Sequence, residues 1–77
     1  MEKGYTFCKN RIIYAVLEIK NTSYGCYALI ERTTERSPYI VAWNVRKEKD
    51  GSLSWGQGHY FESVIPAVKD FCDRTKI

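Results

Sequence analysis

Side chains that could perform acid–base or nucleophilic chemistry are few in this chain, and none of them form an evident pair. His59 is the single histidine, and Glu62 follows it closely in sequence. Acid–base catalysis needs titratable groups whose surroundings push their pKa values apart, and nothing in this spacing requires that. Nucleophilic catalysis would need a thiol beside His59, which no local spacing supports. We therefore predict that the protein is not an enzyme.

The cysteines and the glycines also lack the patterns of a metal or cofactor site. Cys8, Cys26 and Cys72 are widely spaced and odd in number, which predicts reduced, mostly buried thiols rather than a disulfide framework. A zinc site that combines the thiols with His59 matches no common ligand spacing. The Gly-Gln-Gly segment at 56–58 lacks the lysine and hydroxyl of a phosphate-binding loop. We expect no metal and no small-molecule cofactor.

Binding is the chemistry that the remaining polar and aromatic residues favour. The Asp50-Gly51 dipeptide lies between two strand-like runs, which is typical of a two-residue type I′ hairpin turn. Counting back from this turn pairs Lys49 with Ser52 and places a mainly polar row of side chains on one sheet face. We call this row the candidate binding face, and its members are Asn44, Arg46, Trp55, Gln57 and His59.

Nucleic acid is one ligand class that this face would suit, because these residue types hydrogen-bond base edges or stack on bases. Four cations near the ends of predicted loops are candidate phosphate contacts: Arg32, Arg36, Lys47 and Lys49. The net charge of +3 is compatible with such a ligand but does not require it. The alternative is a solvated face on which the stem of Arg46 covers part of Trp55.

The opposite face of the same hairpin predicts a core layer. In this register Trp43 lies across bare glycine backbone at 56–58, as when an aromatic ring covers a strand glycine. Val41, Val45 and Tyr60 would complete the layer. A register shift of one residue, or a bulge at 56–58, would exchange these neighbours.

The elements that hold these residues are four predicted strands and one helix. The strands are predicted near 11–20, 24–32, 38–48 and 53–61, and the helix near 63–76. Residues 1–10 are ambiguous, since Tyr5–Cys8 could add a short edge strand. We predict an α+β fold, in which an antiparallel meander of three to four strands carries one C-terminal helix on one face.

Alternation along these elements predicts which side chains point inward. In the first strand the more apolar set is assigned to the core: Ile13, Ala15, Leu17 and Ile19. In the second strand either face could be buried. In the helix, Ser63 is the predicted N-cap, and the apolar stripe consists of Val64, Val68, Phe71 and Cys72. Asp70 and Arg74 are spaced to pair on the outer face.

Length and composition limit the class of protein. A chain of 77 residues forms one domain and buries only about 60% of the surface that it exposes when unfolded. The longest apolar stretch, residues 12–17, is shorter than the roughly 20 residues that span a bilayer. The N-terminus lacks the apolar centre of a signal peptide. We predict a soluble, cytoplasmic protein with no membrane partner.

Two resemblances follow from the order of elements and from two short runs. The layout from 25 to 75, three strands and then a helix entered through YFES at 60–63, is similar to that of plant AP2 domains and the arm-binding domains of transposon integrases. Those families bind DNA through the sheet, although the Arg/Trp-rich strand motifs of AP2 domains are missing. The runs YIVAWN at 39–44 and WGQGHYF at 55–61 resemble short uncharacterised proteins of bacterial phages and mobile elements, which implies no activity.

Protein binding is the second ligand class. A small sheet with a free edge can pair with a partner or with itself, and exposed aromatic residues favour such contacts. The alternation predicts one such patch, made of Tyr14, Val16, Tyr27 and Leu29. We therefore expect a non-catalytic macromolecule-binding module, a protein-interaction or accessory factor of a phage or mobile element. Binding of DNA or RNA through the exposed sheet face is the alternative.

Overall fold

The computed structural model describes residues 2–34 and 36–76, and within them the chain forms seven strands and one helix. Residue 35 of the predicted loop at 33–37, and the chain ends at 1 and 77, lie outside the described residues. The strands are β1 (Thr6–Lys9), β2 (Ile12–Thr22), β3 (Gly25–Arg32), β4 (Tyr39–Trp43), β5 (Arg46–Lys47), β6 (Leu53–Ser54) and β7 (Gln57–Phe61), and the helix is α1 (Val64–Thr75). The described residues contain no helix long and apolar enough to cross a bilayer.

The predicted α+β fold is confirmed. Five strands form one antiparallel sheet in the order β1-β2-β3-β4-β7, and α1 packs against it. The ambiguous N-terminal segment supplies an edge strand, β1. Its link to β2 is a two-residue turn at Asn10 and Arg11, whose φ angles of 53° and 67° are those of a type I′ turn.

The predicted turn and register of the long hairpin are wrong by one residue. Val41 pairs with His59 and Trp43 with Gln57, whereas the prediction paired them with Tyr60 and Gly58. The Glu48 amide donates to the Ser52 carbonyl at 2.8 Å, so Glu48 and Ser52 are the last paired residues of the hairpin. The loop between them therefore contains three residues, 49–51. Its last residue, Gly51, has a φ of +90°, the left-handed conformation that such loops need. A slip of one residue turns the returning strand over.

The hairpin also bends sharply halfway along its length. Asn44, between β4 and β5, has a φ of 60°, and the Gly56 amide donates to the Trp43 carbonyl at 3.1 Å. Beyond this bend, β5 and β6 pair only with each other and form a two-stranded ribbon. The Tyr5 hydroxyl donates to the Gly51 carbonyl and attaches the ribbon tip to the segment before β1. The ribbon therefore covers one sheet face while α1 covers the other.

Two hydrophobic layers result, one on each face of the sheet. The ribbon-side layer contains Phe7, Val16, Ala28, Ile30, Ile40, Ala42, Val45 and Leu53. The helix-side layer contains Leu29, Val41, Ala67 and Phe71. For β3, where either face could be buried, the outcome is that both faces are buried. A strand that is covered on both faces has a continuous run of apolar residues in its sequence, and residues 28–30 form such a run.

The predicted inward set of β2 is wrong in part. Val16 is 1% exposed and lies in the ribbon-side layer, whereas Ile13 is 55% exposed. A bulge between Val16 and Glu18 changes the alternation, so Ile19 packs on the ribbon side and Leu17 on the helix side. An inserted residue of this kind cannot be seen in an alternating pattern that assumes a period of two.

The buried face of α1 differs from the predicted stripe. Ala67, Phe71 and Thr75 are buried, while Val68 and Cys72 are exposed. Thr75 is buried without loss of hydrogen bonding because its hydroxyl donates to the Phe71 carbonyl at 2.8 Å. Ser63 occupies the predicted N-cap position but its side chain makes no capping hydrogen bond.

Candidate binding surfaces

The structure does not bring the five members of the candidate binding face onto one surface. Asn44 and Arg46 are exposed at the hairpin bend, and Gln57 is exposed opposite Trp43. Trp55 packs on the ribbon-side layer, whereas His59 lies on the helix side against α1. The reason is the register shift together with the bend, which separates β6 from β7.

The tryptophan that covers glycine is Trp55, not Trp43. A Cβ atom added to Gly58 would lie 3.2 Å from Trp55 Nε1 and 3.3 Å from Ile40 Cγ2, so the space over this glycine is already filled. The predicted neighbour of Trp55 is also wrong, because Arg46 pairs with Ser54. The two indoles lie on opposite sides of the sheet, but Trp55 is the one that packs on the ribbon-side layer.

Trp43 belongs to a polar cluster that joins α1 to β4 and β7. The Arg74 guanidinium lies 4.4 Å from the centre of the Trp43 ring, and the His59 ring meets the indole edge-on at 5.6 Å. Arg74 Nε donates to Asp70 Oδ2 at 2.7 Å, and an Arg74 terminal nitrogen lies 2.8 Å from His59 Nδ1. Because a guanidinium only donates, Nδ1 must accept in this contact. The spaced pair Asp70 and Arg74 is confirmed, but it faces the sheet rather than open water.

The carboxylate near His59 is Asp70, at 3.9 Å from Nδ1, and not Glu62, which is exposed. No local spacing could have indicated this contact, because eleven positions along the chain separate the two residues.

The prediction of mostly buried thiols is wrong for Cys8 and Cys72, which are exposed. Cys26 is half-buried, and burial raises the pKa of its thiol. In the described part of the chain, no three potential metal ligands lie together.

An aromatic cleft of about 250 Å³ opens on the ribbon side, between the β1–β2 turn and β6. Phe7 and Tyr14 stack in parallel with ring centres 4.7 Å apart, and Trp55 meets Tyr14 edge-on at 6.3 Å. Lys9 and Ser54 supply polar groups to its lining. Such a cleft presents aromatic surface beside a cation.

The candidate phosphate contacts fall into two separate groups. Lys47 Nζ lies 4.8 Å from the centre of the Tyr5 ring, and Lys49 is exposed at the ribbon tip. Arg32 is at the end of β3, where its Nε donates to the Ser37 carbonyl at 3.2 Å, and Arg36 is exposed in the following loop. Of these four candidate phosphate contacts, Lys47 and Lys49 lie on the ribbon and the two arginines do not.

The ribbon tip also carries negative charge, because Glu48 and Asp50 alternate with its lysines. Glu48 accepts a hydrogen bond from the Ser54 hydroxyl at 2.9 Å. Asp50 accepts from the Ser52 hydroxyl at 2.6 Å and from the Ser52 amide at 2.9 Å. These two hydrogen bonds lower the pKa of the Asp50 carboxyl. The carboxylates offset part of the positive potential of the ribbon.

On the helix side, α1 leaves part of the sheet open. The helix packs mainly on β3, β4 and β7. Over β2, a groove of about 380 Å³ is lined by Ile13, Ala15, Glu31, Thr33, Pro38 and Tyr39, among others. We call this the open groove.

An exposed apolar ridge of α1 lies on the same side of the sheet as the open groove. Ile65 is 74% exposed and Val68 is 39% exposed, and Cys72 is exposed one turn further on. At about 3.6 residues per turn, Val68 and Cys72 fall on the flank opposite Asp70 and Arg74. Since those two contact His59 on β7, the apolar flank points away from β7, in the direction of the β2 side of the sheet. We call Ile65, Val68 and Cys72 the helix ridge.

The apolar patch predicted from the sequence does not exist as an exposed surface. Val16 and Leu29 are buried in opposite layers, so the four residues Tyr14, Val16, Tyr27 and Leu29 cannot share one patch. Tyr14 and Tyr27 are half-buried and stack on Phe7 and Trp43 respectively. The exposed apolar surface on the helix side is instead at Ile13 and on the helix ridge.

Comparisons of this chain with protein-family models, with curated proteins and with solved structures found no match.

Proposed function

We propose that this protein is a small non-catalytic binding module that docks another protein chain in the open groove, against the helix ridge. One observation carries the proposal: the described helix packs mainly on three of the five strands, and the first part of the strand beside them, β2, exposes Ile13. Apolar side chains lost from water on docking stabilise a complex by about 25 cal/mol per Å² of buried area. An open apolar groove next to an apolar ridge offers such area in a concave form.

The side chains most suited to catalysis are already engaged in the fold, which supports a binding role. His59 and Asp70 both contact Arg74, and that arginine in turn lies over Trp43. The resemblance of residues 39–44 and 55–61 to phage and mobile-element proteins favours an accessory factor of such an element. Exposed free thiols at Cys8 and Cys72 suit the reducing cytoplasm.

Photo-crosslinking in cells tests this proposal. A photoreactive amino acid at position 13 is expected to give a discrete protein adduct, because Ile13 lines the open groove. The matched control places the same probe at Lys49 on the ribbon tip, which is also exposed but remote from the groove. The substitution Val68→Glu is expected to remove the adduct, since it places a charge on the helix ridge. Adducts of equal yield from both positions, or none from position 13, would contradict the proposal.

Nucleic-acid binding is the second candidate function, and the aromatic cleft favours it. Tyr14 and Trp55 present ring surface on which a base of a single strand could stack, at about 1–3 kcal/mol per base. Lys9 lines the cleft, and Arg46 and Lys47 follow on the ribbon, where phosphates could be met. Glu48 and Asp50 on the same ribbon weaken this potential, so we rank the function second.

A salt-dependent titration with single- and double-stranded oligonucleotides tests the second function. Each phosphate contact contributes a slope of about −0.7 in the logarithmic salt dependence for single strands. The double substitution of Lys9 and Lys47 by glutamine is expected to reduce the slope, whereas Lys69→Gln on α1 serves as the control. Trp55→Ala is unsuitable, because this ring also packs on the ribbon-side layer. A flat response to oligonucleotides would remove the nucleic-acid hypothesis.

A further inference from the structure

We infer that the occupant of the open groove is the helix ridge of a second copy of this chain, so that the protein forms a two-fold symmetric dimer. The inference rests on the proposed function and names its partner. A ridge and a groove on the same side of one sheet can be matched by a two-fold axis, so that each copy inserts its ridge into the groove of the other. The two contacts are identical, so both ridges and both grooves are covered at once.

The sheet is wide enough for a second helix on this face. Five strands about 4.8 Å apart span roughly 19 Å, while a helix with its side chains is about 10 Å across. One α1 therefore covers about half of this face, which agrees with its packing on β3, β4 and β7. The remaining width over β1 and β2 matches that of one more helix. In the dimer the second copy supplies it.

Charges on the two surfaces are complementary. Glu31 lines the open groove, and Glu18 lies near it on the same face, because it pairs with Leu29 of the helix-side layer. Lys69 is exposed on the outward side of the ridge, and Lys76, the residue after the end of α1, is also exposed, as is Asp73. Arg32 also lines the groove, but its guanidinium lies 5.0 Å from the centre of the Tyr60 ring, and Tyr60 pairs with Ile40 of the ribbon-side layer. The two glutamates therefore dominate the charge on the groove side, and the two lysines outnumber Asp73 on the ridge side.

The acidic side is only partly neutralised within one copy. Lys3 Nζ lies 3.2 Å from Glu18 Oε2, and both side chains are substantially exposed. An exposed pair of this kind contributes about 0–1 kcal/mol and exchanges partners readily. A lysine from a second helix can therefore join or replace Lys3 at little cost. Opposite charges across the contact favour this pairing and fix which way the ridge enters the groove.

Two charge-reversed proteins test the dimer. One carries Lys69→Glu and Lys76→Glu, which makes its ridge acidic, and the other carries Glu18→Lys and Glu31→Lys, which makes its groove basic. Each alone would place like charges across both contacts, and sedimentation velocity is expected to show at least about tenfold weaker association than wild type. Mixed together, the two proteins place opposite charges at both contacts, and a heterodimer is expected. Circular dichroism of each variant verifies that it folds.

The possible outcomes separate this inference from the proposed function. A wild-type protein that stays monomeric from micromolar to millimolar concentration overturns the dimer, and so does a dimer that Val68→Glu and the charge reversals leave unchanged. If position 13 then crosslinks to a different protein, the groove still binds a partner and the proposed function holds. If position 13 gives no discrete adduct, both fail. A crosslinked species made only of this chain, lost in Val68→Glu, supports both.

Discussion

At the scale of single residues, the two tryptophans illustrate how a side chain's role depends on what lies opposite it. Trp55 fills the space over Gly58 and packs on the ribbon-side layer. Trp43 is half-buried at the margin of the helix side, where Arg74 and Tyr27 flank its ring. The first indole packs on apolar side chains, while the second contacts a cation and a partly exposed aromatic ring.

We expect Trp55→Ala to destabilise the protein more than Trp43→Ala. Removing a well-packed tryptophan costs about 3–5 kcal/mol, and Trp55 should approach that range because its ring packs on the ribbon-side layer and over Gly58. Trp43→Ala should cost less, since its ring packs against Arg74 and His59 rather than against a hydrophobic layer. Urea unfolding of the two variants measures the difference. Equal losses, or the reverse order, would contradict this assignment of the two rings.

Asp50 provides a pH-dependent prediction at the same scale. Folding lowers its pKa through the hydrogen bonds from Ser52, so the ionised carboxylate contributes stability above the ordinary value of 3.8. That contribution is lost as the pH falls through the lower pKa of the folded state. Asp50→Asn keeps an acceptor oxygen but removes the charge. We expect the variant to be less stable than wild type at neutral pH, and the gap to close in acid.

Denaturant unfolding of both proteins across this pH range isolates the effect, because all other carboxyl groups titrate in both. The side chain of Asp50 is at an exposed turn, so the difference should be small. A gap that does not change with pH would mean that the Ser52 hydrogen bonds do not distinguish the charged carboxylate from the amide.

At the scale of elements, the bend at Asn44 determines which face the ribbon covers. The side chain of Asn44 is held between two glycines: a Cβ atom on Gly25 would lie 2.9 Å from its Oδ1, and one on Gly56 would lie 3.3 Å from its Cβ. The Val45 amide donates to the Cys26 carbonyl at 3.2 Å, which continues the sheet past the bend. A straight hairpin would leave Val45 and Leu53 in water and the ribbon-side layer uncovered.

We expect Asn44→Val to cost about 1–3 kcal/mol and Asn44→Gly to be close to neutral. A β-branched side chain is strained at the positive φ of this position, whereas glycine adopts it freely. Thermal unfolding compares the two variants. If valine is tolerated as well as glycine, the positive φ angle is not needed for the bend.

At the scale of the whole molecule, the sheet is unevenly protected. The central strands β3 and β4 lie between the ribbon and α1, and they supply half of the buried residues of each hydrophobic layer. The outermost strands, β1 and β7, each pair on one side only. Local stability should therefore be highest at the centre and fall toward the edges.

Native-state hydrogen exchange measures this gradient. Amides of Ile30 and Ile40, in the two central strands, are expected to exchange at or near the rate set by global unfolding. Amides of β1 should exchange faster through local opening. Exchange of β1 as slow as that of β3 would indicate that the ribbon tip and the Tyr5 hydroxyl lock this edge into the same cooperative unit.

What the sequence determines by itself is local. β-Branched runs predict β2 and β3 at nearly the observed positions, whereas the structure divides each of the strands predicted at 38–48 and 53–61 into two. The helix predicted at 63–76 begins and ends within a residue of α1, because propensities and turn residues act over a few positions. The i to i+4 pair of Asp70 and Arg74 follows from helix geometry in the same way. The α+β class is a consequence of this order of elements.

The tertiary structure alone decides which side of each strand faces which layer. One extra residue in the loop at 49–51 and one bulge in β2 each reverse which side chains of the strand point to a given face. Neither feature can be recognised in the hydropathy pattern of the sequence. The bend at Asn44 then splits the predicted binding row between two faces. Because both faces of the central strands are buried, alternation carries little information there, and the open groove becomes visible only once α1 is placed over three strands and not five.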